Sequence, residues 1–312
     1  MTKAACIGEC MIELRQTTGT GLARGVGGDT LNTAVYLSRL GVQTDYITAL
    51  GDDPFSDEMV AGWNAEGVGT GHVARLPGKL PGLYVIQTDA AGERRFYHWR
   101  ENSAARSLMD LPETESILDA LAGYDLVYFS AITLSLYGET GRQRLLTALG
   151  RARKSPVRIA FDTNFRPRGW PDLAAARRDY RDAMEVSDIV LASTEDLCAL
   201  YPGEDDDDLM ARIPSAEAVL KLAEPACVVR AAGCSRVVKA EPVNKAVVDT
   251  TAAGDSFAAA YLAARLGGAD PALAARAGHR LAGSVVCHPG AIIPLSAMPA
   301  DIMRTLSRET SA

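Results

Sequence analysis

The segment Ala246-Val247-Val248-Asp249-Thr250-Thr251-Ala252-Ala253-Gly254-Asp255-Ser256-Phe257 passes from β-branched residues, through small ones, into Ala258-Ala259-Ala260-Tyr261-Leu262. Small side chains let peptide N–H groups come close to a ligand, and a helix that follows adds its positive end, so this turn suits an anion, phosphate above all. Asp255 falls in the first helical turn. A carboxylate there can take the proton of an attacking hydroxyl while the N–H groups hold the group being transferred. Taken alone, the segment reads more simply as a helix start capped by Asp255, with alanines packed on a sheet. A second segment, Gly27-Gly28-Asp29-Thr30-Leu31-Asn32, has a glycine pair that admits hydroxyl groups to the backbone, with Asp29 and Asn32 as acceptor and donor for a polyol. It too could be a plain helix start, capped by Asp29 or Thr30. Together the two segments describe phosphoryl transfer to a polyhydroxy compound.

The elements that must position them follow from the rest of the chain. Strand-like runs at Cys6–Leu14, Asp45–Leu50, Leu126–Ser130, Arg158–Asp162, Asp188–Ala192 and Cys227–Arg230 alternate with helical patterns. The helices are expected near Thr30–Leu40, Phe55–Glu66, Gly138–Lys154, Leu173–Val186, Leu209–Leu222, Gly254–Leu266 and Pro271–Val286. That alternation predicts an α/β fold, a mostly parallel central sheet covered by helices on both faces. Phe55, Met59 and Trp63, with Val60 beside them, form an apolar stripe that reads as core. Gly82–Thr88 and Arg94–Arg100 break the pattern: they flank Asp89-Ala90-Ala91-Gly92-Glu93 and predict a hairpin outside the main layer. A lone hairpin is marginal in water, so it needs a further strand, around residues 12–26, or a partner subunit.

With 312 residues, Lys+Arg 32 against Asp+Glu 39 and a formal charge of −7, the chain is expected to fold around a sizeable core and to have no general affinity for nucleic acid or anionic membranes. It has no apolar run of about 18 residues and no signal-like start, and its six cysteines form no metal knuckle. A cytoplasmic location with reduced thiols is therefore expected. The run Glu204-Asp205-Asp206-Asp207-Asp208 reads as a solvated loop at a helix start rather than a metal cage. Neither a P-loop nor a dinucleotide fingerprint after the first strand occurs.

Gly27-Gly28, Asn32, Ala34, Gly41 and Gly51 resemble the first signature of the PfkB/ribokinase family of sugar kinases, and Asp249-Thr250-Thr251-Ala252-Ala253-Gly254-Asp255 resembles the second. The resemblance spans nearly the whole chain. Gly8-Glu9-Cys10-Met11-Ile12-Glu13-Leu14, Leu80-Pro81-Gly82-Leu83-Tyr84, Trp99-Arg100, Asp162-Thr163-Asn164-Phe165-Arg166 and Gly290-Ala291-Ile292-Ile293-Pro294 are similar to the branch acting on 2-keto-3-deoxygluconate. The resemblance implies a ribokinase-like three-layer α/β/α domain over residues 1–312, with a discontinuous β lid from about 12–26 and 82–101.

It further implies an ATP-dependent kinase of the 6-hydroxyl of that sugar acid, with a neutral-sugar kinase, such as a fructokinase or ribokinase relative, or a non-catalytic sugar sensor as alternatives. Asp255 would be the general base, and the N–H groups of Ala252, Ala253 and Gly254 the anion hole. The family's usual Gly is Ala252 here, a change the backbone tolerates where φ is negative. Gly27, Gly28, Asp29, Asn32, Tyr84, His98, Arg100 and Arg166 would meet the sugar, the arginines gripping its carboxylate. Asn164, Ser193, Arg230, Ala232, Gly233, Thr250, Thr251 and His279 would meet the nucleotide. The family's Asn-x-x-Glu pattern falls on Ser193-Thr194-Glu195-Asp196, which makes Asp196 the candidate for Mg2+. The Asp249 carbonyl and the Gly290 region resemble a monovalent-cation site, and a homo-oligomer formed through the lid is expected.

Overall fold

The stretch Cys6–Leu14, expected as one strand, folds as two strands that belong to different sheets. Gly8 sits at the break, where an added Cβ would lie 2.0 Å from Thr30 Oγ1, so the chain turns against the helix that starts at Asp29. In this computed structural model, residues 2–17, 19–88, 94–243, 245–300 and 302 are described. Their strands are β1 (Lys3–Ile7), β2 (Met11–Gln16), β3 (Leu22–Gly27), β4 (Gln43–Gly51), β5 (Val68–Gly69), β6 (Val73–Leu76), β7 (Leu83–Thr88) and β8 (Arg94–Trp99). The second half of the chain adds β9 (Leu126–Ser130), β10 (Arg158–Asp162), β11 (Ile189–Ser193), β12 (Glu217–Lys221), β13 (Ala226–Ala231) and β14 (Cys234–Lys239).

The main sheet has the order β14-β13-β12-β11-β10-β9-β1-β4-β5, with β6 also on β4. It is parallel from β12 to β5, and β13 and β14 close one side as antiparallel hairpins. Because the first crossover carries β1 to β4 and later ones build from β9 away on the other side, the winding reverses at β1, which opens a crevice at the carboxyl ends of the strands. Side chains alternate between the faces: Ile7, Phe129 and Phe161 join one apolar cluster, Cys6, Tyr128 and Ala160 the other. Helices Glu139–Ala152 and Leu173–Val186 cover the first face. Helices Asp29–Arg39, Ala253–Leu266 and Pro271–Val285 cover the second, which completes three layers.

The second sheet has the order β3-β2-β7-β8, so β2 and β3 supply the strands that the expected hairpin lacked. Its turn, residues 89–93, lies outside the described residues. Two further expectations are corrected. The helix expected at Leu209–Leu222 is a short helix, Asp206–Ala211, followed by β12, because Pro214 cannot continue a helix and Glu217–Lys221 is a buried strand. Phe55 leaves the core stripe, is exposed, and lies under the Arg24 guanidinium at 5.0 Å, whereas Met59 and Trp63 are buried as expected. The acidic run does start a helix, with Asp205 accepting hydrogen bonds from Asp207 N and Asp208 N.

Candidate active site

Two helix N-termini, those of Asp29–Arg39 and Ala253–Leu266, meet at the crevice. The loop before the second is pinned where it arrives: Val248 N and Asp249 N donate to Val286 O, and the Asp249 carboxylate accepts from Thr251 N, Thr251 Oγ1 and Gly290 N. Ala252 then adopts φ +59°, so the condition under which alanine could replace glycine freely does not hold. A left-handed L-residue costs about 1–2 kcal/mol, which the pinned loop imposes on Ala252. A helix offers no internal acceptor to its first N–H groups. Ala253 N turns back to Thr250 O at 3.2 Å, while Gly254 and Asp255 occupy the first-turn positions with N–H groups suited to an anion.

Asp255 is half-buried and already oriented: Asn32 Nδ2 donates to its Oδ2 at 2.8 Å, and Thr33 Oγ1 donates to its carbonyl at 3.3 Å. Burial, then the neighbouring Asp29 carboxylate, push the Asp255 carboxyl far above the usual range, to about 8, against the pull of the Asn32 hydrogen bond. Asp29 is held in turn by Asn164 Nδ2 at 2.8 Å. Asn164 is thereby tied to Asp29, at the start of the first helix.

Behind these carboxylates lies a cation that sequence reasoning missed. Lys221 ends β12, with Nζ 3.4 Å from Asp162 Oδ2 and 3.6 Å from where a Cβ on Gly254 would lie. Burial pulls its ammonium pKa down, but Asp162, Asp196 and Asp255 outweigh this and hold it above the usual lysine value. Asp162 itself is raised, first by burial, with Lys221 opposing. Ser193 and Asp196 are brought to the same end of the sheet: Ser193 Oγ caps its helix by accepting from Asp196 N, and Asp196 accepts from Phe165 N at 2.9 Å and Thr163 Oγ1 at 2.8 Å. The sign that could have exposed Lys221 is its position, a charged residue closing the apolar run Ala218-Val219-Leu220.

The second sheet supplies the roof. Tyr84 lies opposite His98 in the β7–β8 register with ring centroids 5.7 Å apart, and Tyr84 Oη donates to Glu13 Oε2 at 2.6 Å. Burial and the Glu13 carboxylate push the Tyr84 hydroxyl well up, so it stays a donor. An added Cβ on Gly27 would lie 2.1 Å from Tyr84 Oη, which requires glycine at that contact. His98 is lowered, first by burial and then by the charges of Arg100, Arg168 and Arg166, so it is neutral near pH 7. Arg100 forms an ion pair with Glu9 at the start of the crevice. The Arg166 side chain is 61% exposed, with Nη1 on Phe165 O at 2.7 Å and 3.9 Å from Asp196.

His279 lines a separate cavity of about 670 Å3 along the Pro271–Val285 helix, with Lys239, Lys245, Arg276 and His288. Its Nε2 lies 3.1 Å from Val238 O. The structure does not bring Arg230, Ala232 and Gly233 to the crevice. β13 runs antiparallel away from Lys221, so Ala232 (φ +51°) and Gly233 (φ +76°) form a tight hairpin turn at the opposite edge of the sheet. Arg230 donates to Met210 O, Ile213 O and Ser215 O there.

A mostly parallel sheet between two helical layers, with a small second sheet beside the crevice where the two helix starts meet, is the ribokinase-like arrangement of a phosphotransferase. The model of the pfkB family of carbohydrate kinases matches residues 1–298, and the chain belongs to that family. The 2-dehydro-3-deoxygluconokinase of Dickeya dadantii is 45% identical over 305 residues, covering 95% of this chain and 98% of that protein. The crystal structure of the Thermotoga maritima 2-dehydro-3-deoxygluconokinase superposes with a TM-score of 0.83 at 23% identity, covering 98% of this chain and 100% of that one. A putative ribokinase II of E. coli in complex with ATP and Mg2+ gives a TM-score of 0.81 at 21% identity, covering 99% of each chain.

Proposed function

We propose that this chain transfers the γ-phosphoryl group of ATP to the 6-hydroxyl of 2-keto-3-deoxygluconate, giving 2-keto-3-deoxy-6-phosphogluconate. The observation that carries the reading is the Asp255 carboxylate, oriented by Asn32 at the mouth of the helix and raised toward proton acceptance. In its ionised form it takes the proton of the 6-hydroxyl as that oxygen attacks the γ-phosphorus in line. The first-turn N–H groups, with Lys221 behind them, stabilise the charge on the phosphoryl oxygens. Gly27, Gly28, Asp29 and Asn32 hold the sugar hydroxyls, with Asn164 steadying Asp29. Tyr84, His98, Arg100 and Arg166 face the other end, where the two guanidinium groups suit a carboxylate. The near full-length relation to a 2-dehydro-3-deoxygluconokinase supports the same substrate.

Thr250, Thr251 and the His279 cavity, whose volume suits a nucleoside, are assigned to ATP. Mg2+ bound with the phosphates would neutralise part of their charge. The oxygens of Asp162 and Asp196, engaged with Lys221 and with N–H and O–H donors, fit an ion held through water. The Asp249 carbonyl and the Gly290 turn are assigned to a monovalent cation. The second sheet is assigned the role of a lid that excludes water on closure. Its outer face, with Leu22, Tyr97 and Trp99 exposed around a cavity of about 280 Å3, fits a second copy of this chain.

The test is turnover by the purified protein against a set of sugars. Preference for 2-keto-3-deoxygluconate is expected. Equal or better turnover of fructose would assign a neutral-sugar kinase, and sugar binding without ATP consumption a sensor.

A further inference from the structure

We propose that Glu9 is the positioning residue of the sugar-acid site: its buried carboxylate holds Arg100 inward, and so sets the preference for an anionic over a neutral sugar. The inference rests on the reading of the substrate as a sugar acid. Glu9 follows β1 in the body of the molecule, and Arg100 follows β8 in the second sheet, so their ion pair spans the two. The Glu9 side chain is 1% exposed and that of Arg100 20%. Arg100 Nε and Nη2 and both Glu9 carboxylate oxygens are buried and make no hydrogen bond, so the Nη2–Oε2 contact is held by charge alone. Gly82 makes room for the pair and Gly28 for the Glu9 backbone. A Cβ on Gly82 would lie 3.0 Å from Glu9 Oε1 and 3.2 Å from Arg100 Cβ, and one on Gly28 would lie 2.3 Å from Glu9 O.

The Glu9 side chain is almost fully buried, so it acts through Arg100 and not on a substrate. A free arginine has high rotamer entropy, and without a counter-charge Arg100 would spend its time extended into water. Paired, it keeps its remaining surface on the crevice side, ready for one carboxylate. That carboxylate then shares a single guanidinium with Glu9, and Arg166, whose charge reaches His98 as that of Arg100 does, offsets the excess negative charge. A neutral sugar gains nothing from the arrangement.

The test is a double-mutant cycle on the full chain with Glu9→Gln, Arg100→Ala and the double variant, measuring kcat, KM and Tm. Glu9→Gln is expected to raise KM for 2-keto-3-deoxygluconate roughly tenfold, the scale of one charge-assisted contact, with a smaller effect on kcat. The preference for the acid over fructose should narrow, and Glu9→Asp should restore part of it. In the Arg100→Ala background, Glu9→Gln should raise KM no further and should recover Tm, because it removes an unpaired buried charge. Gly82→Ala, which crowds both partners, should imitate Glu9→Gln. Additive KM effects, or a loss of Tm with unchanged selectivity, would make Glu9 a purely structural residue and overturn the proposal. Inactivity of the unaltered chain toward the sugar acid would instead refute the functional reading on which it rests.

Discussion

Replacing Lys221 by Met removes a charge while keeping an unbranched chain of similar reach. Lys221 Nζ lies 3.4 Å from Asp162 Oδ2, and at an effective dielectric near 20 two unit charges at that separation attract by about 5 kcal/mol. The net loss is smaller. Breaking a buried pair typically costs about 3–5 kcal/mol, and Lys221, still 20% exposed, belongs near the lower end. About 3 kcal/mol corresponds to a Tm lower by roughly 5 °C in a chain of this size. The pH dependence has a definite sign. Burial raises the Asp162 carboxyl, and Lys221 opposes that rise, so the variant raises it further. A carboxyl lifted above its unfolded value costs stability at higher pH and returns it as the pH falls through the folded value. The Tm deficit should therefore be larger at about pH 8 than at about pH 5. In steady-state assays kcat should fall on the order of 100-fold, as for loss of one charge-stabilising donor, and Lys221→Arg should recover part of it. An unchanged Tm at both pH values, or a deficit that grows on acidification, would refute the electrostatic argument. An unchanged kcat would remove Lys221 from the reaction.

Asp255→Asn should lower kcat by about 100- to 10,000-fold while calorimetry shows ATP and sugar still bound, since the amide keeps the place beside Asn32. The kcat/KM profile should rise with pH along a limb whose midpoint lies well above the usual carboxylate range, toward about 8. Asp29→Asn should move that limb down by removing a neighbouring negative charge. Ala252→Gly should change Tm by only a few degrees. Relief of about 1–2 kcal/mol of left-handed strain is partly offset by about 0.5–1 kcal/mol of added unfolded-state freedom, and a large loss would contradict the strain. Trp99→Asp, on the outer face of the second sheet where Trp99 is 59% exposed, should shift sedimentation from dimer toward monomer. A dimer that survives would place the interface elsewhere.

What the sequence disclosed and what it concealed follow from the range of the forces involved. The two helix starts were legible because small residues and a first-turn carboxylate are local signals, although neither start carries a side-chain cap, and the structure brings both segments to one crevice. The φ of Ala252 was not legible, because it is imposed by a loop pinned through Val286 and Gly290. Nor was the Glu9–Arg100 pair, whose members meet only once the second sheet is in place. One local misreading had the widest effect. Glu217-Ala218-Val219-Leu220-Lys221 fits a buried helix turn as well as a strand by periodicity, and only Pro214 decides between them. Each strand added to a sheet sets which end the next turn occupies. The family resemblance alone points to Ala232-Gly233 as the nucleotide loop, and with β12 missing from the expected elements no strand count opposes it. Restoring β12 sends that hairpin to the far edge and puts the β12 end, with Lys221, beside Gly254. A small-residue turn can serve an anion only when the strand count delivers it to the carboxyl end of the sheet, and that count is a property of the whole chain.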